Sequence, residues 1–287
     1  MKRAVLPILL PAALLAALAH AAPGPAASLD DPLPGHPGVT EFDLAKLVVP
    51  DLTNSGDGAT GHKTVALRHI DGKDALAPPE DPITLGSDAV DLMAVPGRPD
   101  RILALIDLGA SDGNVEEATV LGLYELSPRL KLLDAVEVGN DRWTGMAAKN
   151  PPMLATGSPL IVVDSGHSNS NEAYNSTNLI FVHGARLTLL GNLLTFNQSF
   201  CAFDRTQETT YRAIPAPGPY NSLQVSVRET TKLTGEEGCT DQPAPRHADV
   251  QTYQGVYAWD AAKNAFVSHS KSLDALDALN KARVEAP

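Results

Sequence analysis

Residues 102–141 and 159–198 align without a gap at an offset of 57 positions. Leu103 falls on Leu160, Asp107 on Asp164, Gly109 on Gly166, Ser111 on Ser168, Asn114 on Asn171 and Asn140 on Asn197. Each stretch opens with a short apolar run, ILALI or LIVV, that ends at an aspartate and passes into a loop of Gly, Ser and Asn. A second apolar run follows (120–126; 179–183), then a tight turn, Ser127-Pro128 or Gly184-Ala185, and a third run (130–138; 187–196). Apolar runs of this length between turn residues are strand signals, and the last two pieces of each stretch predict a hairpin. A further strand over 90–95 pairs ahead of Ile102 across Pro96-Gly97-Arg98-Pro99, so each unit has three or four antiparallel strands.

The pattern extends in both directions. Upstream, Leu47-Val48-Val49-Pro50-Asp51 precedes a polar loop and the run 64–70, and Asp51 lies 56 positions before Asp107. Downstream, Leu223, Val225 and Val227 alternate as a half-buried strand, and a hairpin over 255–268 closes the series. A lone three-stranded sheet leaves its faces wet, so such units must stack or close around an axis. The expectation is a mainly β chain of repeated antiparallel units with a period of about 57. Its arrangement is small and β-propeller-like, with a β-sandwich as the alternative. A short helix over 272–284 follows, capped by Ser272, with Leu273, Leu276, Leu279 and Val284 on one stripe.

The N-terminus reads as an address. Lys2 and Arg3 precede an apolar run to Leu18, and Ala19-His20-Ala21 supplies a small-residue cleavage pattern. The expected organisation is a signal peptide over 1–21, an extended leader with five prolines over 22–40, and a single β-repeat domain over 41–287. This predicts a periplasmic or secreted protein with no membrane span after cleavage. Cys201 and Cys239 are the only cysteines, and an oxidising compartment favours joining them as a structural staple. A formal charge of −12 repels a phosphate backbone, so no nucleic-acid partner is expected.

Three loops occupy corresponding positions and carry the candidate chemistry. Calcium takes six to eight hard oxygens from flexible loops. The first loop offers Asp51, Thr53, Ser55 and Asp57, the second Asp107, Ser111 and Asp112, and the third Asp164, Ser168 and Asn169. The competing reading is that these side chains cap turns by accepting from nearby backbone N–H groups. An apolar run followed by DLTNSGDG resembles the FG-GAP repeat of exported and cell-surface β-propellers. That resemblance implies calcium in the loop and a role in adhesion or ligand binding. The Phe-Gly and Gly-Ala-Pro elements of that family are absent.

No enzyme signature stands out. There is no G-x-S-x-G elbow, no H-E-x-x-H and no phosphate loop. Asp164-Ser165-Gly166-His167 is the most suggestive tetrapeptide, and His62, His69, His183, His247 and His269 are scattered. Glu116-Glu117 reads as a solvated pair; Trp143 and Trp259 could stack a sugar ring or fill the core. The expected function is a non-catalytic exported binding or scaffold protein of the bacterial envelope, its partner an envelope protein or glycan. A hydrolase of envelope glycans or polymers, using a cleft between the Asp loops, is the alternative. A structural or enzyme-inhibiting protein is the third reading.

Overall fold

The computed structural model describes residues 28–55, 58–74, 82–110, 117–147, 151–235, 239, 245, 247–268 and 270–284. The expected signal peptide therefore lies outside the described residues, as do Asp57, Ser111, Asp112, Glu116 and His269.

The chain is mainly β. It opens with a hairpin, β1 (Pro32–Leu33) and β2 (His36–Thr40), then helix α1 (Glu41–Val48). A small sheet follows from β3 (Thr53–Asn54), β4 (Ala59–Gly61) and β5 (Ile83–Leu85). Next comes a four-stranded antiparallel sheet of β6 (Val90–Ala94), β7 (Arg101–Ala110), β8 (Glu117–Glu125) and β9 (Lys131–Glu137), in chain order. The second half is one nine-stranded antiparallel sheet. It starts with β10 (Thr144–Met146), β11 (Met153–Ala155), β12 (Ser158–Ser168), β13 (Glu172–His183) and β14 (Arg186–Ser199). It continues with β15 (Phe203–Ile214), β16 (Ser222–Leu233), β17 (Asp249–Asp260) and β18 (Ala265–Ser268). Helix α2 (Lys271–Val284) ends the described chain. No helix among the described residues is long and apolar enough to cross a membrane.

Three apolar cores explain the stacking. Ala104, Ile106, Val120 and Tyr124 face α1 and the first small sheet, joining Leu44, Val48, Leu52 and Leu85. The alternate residues Leu103, Leu105, Leu121 and Leu123 turn the other way and meet Ile161, Val163, Ile180 and Val182. On the far side of β12 and β13, Leu160, Val162, Leu179 and Phe181 pack on Leu223, Val225, Val227, Tyr257, Phe266 and α2. Successive strand residues point to opposite faces. Runs such as ILALI and LIVV are unbroken because both of their faces are buried. An exposed face would have enforced polar alternation.

The nine-stranded sheet folds over itself because β14 and β15 pair only at Gln198↔Arg205 and Ser199↔Asp204 before diverging. Four layers result, packed face to face. The first and last layers share none of the three cores, and no sheet closes into a barrel. The expected mainly β chain of antiparallel units followed by a short C-terminal helix is what the structure has.

Five local expectations are corrected. The run before Asp51 is no strand: Leu47 and Val48 end helix α1, which Thr40 and Asp43 start with a reciprocal capping box, and residues 49–51 turn out of it. The run 64–70 is no strand; it makes only an isolated bridge, His69↔Glu137. The cap of α2 is Ser270, whose Oγ accepts from Leu273 N at 3.1 Å, not Ser272. Of the predicted stripe, Leu273 and Leu276 are buried, whereas Leu279 and Val284 are exposed and Asn280 takes the buried position. Part of the expected leader is built into the fold, since Leu29 and Leu33 join the first core. Gly255 is where α2 comes closest to the sheet: a Cβ there would meet Ser270 Cβ at 2.5 Å and Leu273 Cδ1 at 2.6 Å.

Candidate functional site

The three predicted loops have different fates. Asp51 follows α1 and accepts from His62 N at 3.1 Å and Lys63 N at 3.0 Å, bonds that hold its carboxyl below the usual carboxylate range. Thr53 and Ser55 flank it on exposed backbone. Asp107 accepts from Gly109 N at 2.8 Å, a turn of one residue's reach. Asp164 lies within β12; burial pushes its carboxyl above the usual range even though Thr177 Oγ1 donates to it at 2.5 Å. Each carboxylate thus binds its own neighbourhood. Among the described residues no three or more His, Cys, Asp or Glu side chains come together as a metal site. We expect Asp51→Ala to lower the thermal midpoint by the same amount in EDTA and in millimolar calcium. A fall seen only with calcium would restore a metal at that loop.

The third loop does build a site. In the sequence SNSN the Asn169 Oδ1 accepts from Asn171 N at 3.3 Å and Glu172 N at 3.0 Å, and Asn169 N donates to Glu172 O at 2.9 Å. This is the self-satisfied turn that asparagine favours. Ser199 N donates to Asn171 O at 2.8 Å, tying the turn to the end of β14. Together with β15 and β16 it borders an open, solvent-facing cavity of about 380 Å³, lined by Ser168, Asn169, Asn197, Gln198, Thr206 and Thr230 among others. Its charged members come in both signs, Glu172 and Asp204 with Arg205 and Lys232.

The hydrogen-bond pattern fixes what this cavity offers. Asn197 Oδ1 already accepts from Gln207 N at 2.7 Å, and Asn169 Oδ1 serves its own turn. The donor Nδ2 of each is the half left for a ligand. Gln198 is held at both ends, donating to Glu172 Oε1 at 2.9 Å and accepting from Arg205. Asp204 accepts from Ser199 Oγ at 2.7 Å. The cavity therefore presents amide and hydroxyl donors with its carboxylates already engaged. That suits a neutral ligand rich in acceptor oxygens.

The Asp164–His167 tetrapeptide does not make a nucleophile. Ser165 is fully buried, accepts from Asn140 N at 3.2 Å and shares a hydrogen bond of 2.9 Å with Thr144 Oγ1. Asp164 and His167 differ by an odd number of residues along β12 and lie on opposite faces of the sheet. His167 Nδ1 instead pairs with Asp141 Oδ1 at 3.2 Å, and its ring stacks on Tyr174 at 5.4 Å. Tyr174 donates to Asp141 Oδ2 at 2.9 Å, and burial together with that bond pushes its phenol up to about 12. Asp141 is thus the hub of a small polar cluster that no spacing in the sequence announced.

The remaining histidines and tryptophans are placed as follows. His69 is buried against Asp71 at 2.6 Å, His183 meets Tyr220 at 2.7 Å, and His62 and His247 are exposed. Trp259 packs with Tyr220, Phe181 and Phe266. Trp143 is 62% exposed. Cys201 and Cys239 are bonded, with Cα atoms 5.6 Å apart. Cys201 sits in the turn between β14 and β15, beside the cavity's rim. Comparison with family models, curated proteins and solved structures finds no match to this chain.

Proposed function

We propose that the protein is a non-catalytic, exported binding protein of the periplasm or cell exterior, and that its ligand is a neutral envelope glycan bearing acetamido groups. The observation that carries this is the donor-rich cavity between the β12–β13 turn and strands β14–β16. Its free amide donors match acetamido and hydroxyl oxygens, and its two carboxylates, Glu172 and Asp204, are matched in number by the cations Arg205 and Lys232, so the lining favours neither sign of ligand charge. The disulfide agrees with an oxidising compartment.

Titration calorimetry with β-1,4-linked N-acetylglucosamine oligomers tests the reading. Asn169→Ala with Asn197→Ala removes two donors and is expected to weaken binding roughly tenfold to a hundredfold, at about 0.5–1.5 kcal/mol for each neutral bond. Absence of binding by the unaltered protein overturns the reading. Two carboxylates, Glu172 and Asp204, also line the cavity, which keeps glycan hydrolysis as the second reading. Release of shorter oligomers during the titration, abolished by Glu172→Gln, would establish it.

A further inference from the structure

Trp143 is the exposed aromatic side chain that the core does not use. Its backbone is left-handed, φ 52°, a conformation unfavourable for a bulky residue and of the kind that clusters at ligand clamps and active sites. Gly166 N donates to Arg142 O at 3.0 Å and Thr144 pairs with Ser165, so Trp143 stands on the outer flank of β12. The cavity begins on the other flank, where Ser168 and Ala173 close the β12–β13 tip. From β10 to β14 there are three strand spacings, roughly 14 Å at about 4.8 Å each.

We infer that the ligand is a chain of several sugar units lying across the ends of β14, β13 and β12, with one unit in the cavity and a distal unit stacked on the Trp143 indole. This rests on the glycan reading above and adds to it a length requirement and a stacking platform. A flat indole face suits the apolar face of a pyranose, and the 14 Å span is beyond the reach of a single unit.

The experiment compares N-acetylglucosamine oligomers of one to six units by calorimetry and by intrinsic fluorescence. In the unaltered protein the hexamer is expected to bind at least tenfold more tightly than the dimer and to change the emission of the exposed indole. Trp143→Ala should bring the hexamer's affinity down to the level of the unaltered protein's dimer and abolish the emission change. Trp143→Gly, which accepts the left-handed backbone without strain, should do the same, and an unchanged thermal midpoint in it shows that folding is intact. Equal affinity for dimer and hexamer, or full hexamer affinity in both Trp143 variants, overturns the extended site while leaving the cavity as a glycan site. No binding at any length overturns both.

Discussion

Arg283→Met is expected to destabilise the fold by about 3–5 kcal/mol, the cost of leaving a buried carboxylate without its partner. Arg283 reaches from the last turn of α2 to Glu229 on β16, with Nη1 at 2.6 Å from Oε2 and Nη2 at 3.0 Å from Oε1. Gln207 and Asn280 complete the arrangement: Gln207 Nε2 donates to Glu229 Oε2 at 2.5 Å, and Asn280 Nδ2 donates to Gln207 Oε1 at 2.8 Å and Leu194 O at 2.8 Å. Burial pushes the Glu229 carboxyl up, but the bonds from Arg283 and Gln207 outweigh it and hold the carboxyl below its ordinary 4.5. A depressed native value means stability that is present above the unfolded value and lost as pH falls through the native one. The gap between the variant and the unaltered protein should therefore narrow as pH drops below about 4.5. Denaturant melts at pH 7 and pH 3.5 measure this. A second change, Glu229→Met, made in the Arg283→Met background, should recover only part of the loss, because it removes the unpaired carboxylate but leaves Arg205, whose Nε lies 3.8 Å from Glu229 Oε1, without it. An unchanged melt in Arg283→Met would mean that α2 is held by Leu273 and Leu276 alone.

Cys201→Ser with Cys239→Ser is expected to cost about 4 kcal/mol, from the loop-entropy relation applied to a sequence separation of 38. The bond closes the β15–β16 hairpin and the segment after it back onto the turn that follows β14. Reductant added to the unaltered protein should give a similar loss, and none in the double variant. A double variant as stable as its parent would make the bond ornamental to the fold. Because Cys201 adjoins the cavity rim, the same variant is also expected to weaken glycan binding more than its stability loss predicts at temperatures well below the melt.

The parts of this fold that could be read in advance are those in which local pattern and tertiary role agree. Strands β7–β9 and β12–β14 coincide with the runs expected at 102–138 and 159–198, since apolar runs bounded by turns persist when both faces of a strand are buried. The same continuity misled at 44–49. There the residues to Val48 belong to a short helix of eight residues, Glu41–Val48, and the T-x-x-D capping box at Thr40 and Asp43 was the signal that outweighed the apolar run. Strand β15, FDRTQETTYRAI, carries few apolar residues because much of it is open to solvent, so period-two reasoning finds little to hold. Of the candidate site, Ser168 and Asn169 were legible as a polar turn held by a sheet. Their partners Asn197, Arg205 and Lys232 arrive from three later strands. Asp141 and His167, 26 residues apart, meet only because β10 lies beside β12. Pairings of that kind are decided by sheet register, which a spacing along the chain does not encode.

The central core, in which Leu103, Leu121 and Val136 meet Ile161, Ile180 and Val182, bears on how the molecule can be cut. Two meanders of similar order suggest two modules that could be expressed apart. Each, however, supplies the other's missing wall, and a break near residue 147 would expose thirteen buried apolar side chains along that seam. Asp134 adds a clasp, accepting from Leu187 N at 2.8 Å and Arg68 Nη2 at 2.9 Å, so that β9, β14 and the strap at residue 68 meet on one carboxylate. Either half alone would present a sticky, strand-rich face, and the halves should fold together or aggregate separately. Under the export proposed above, the N-terminal meander would wait, incomplete, until the second has crossed.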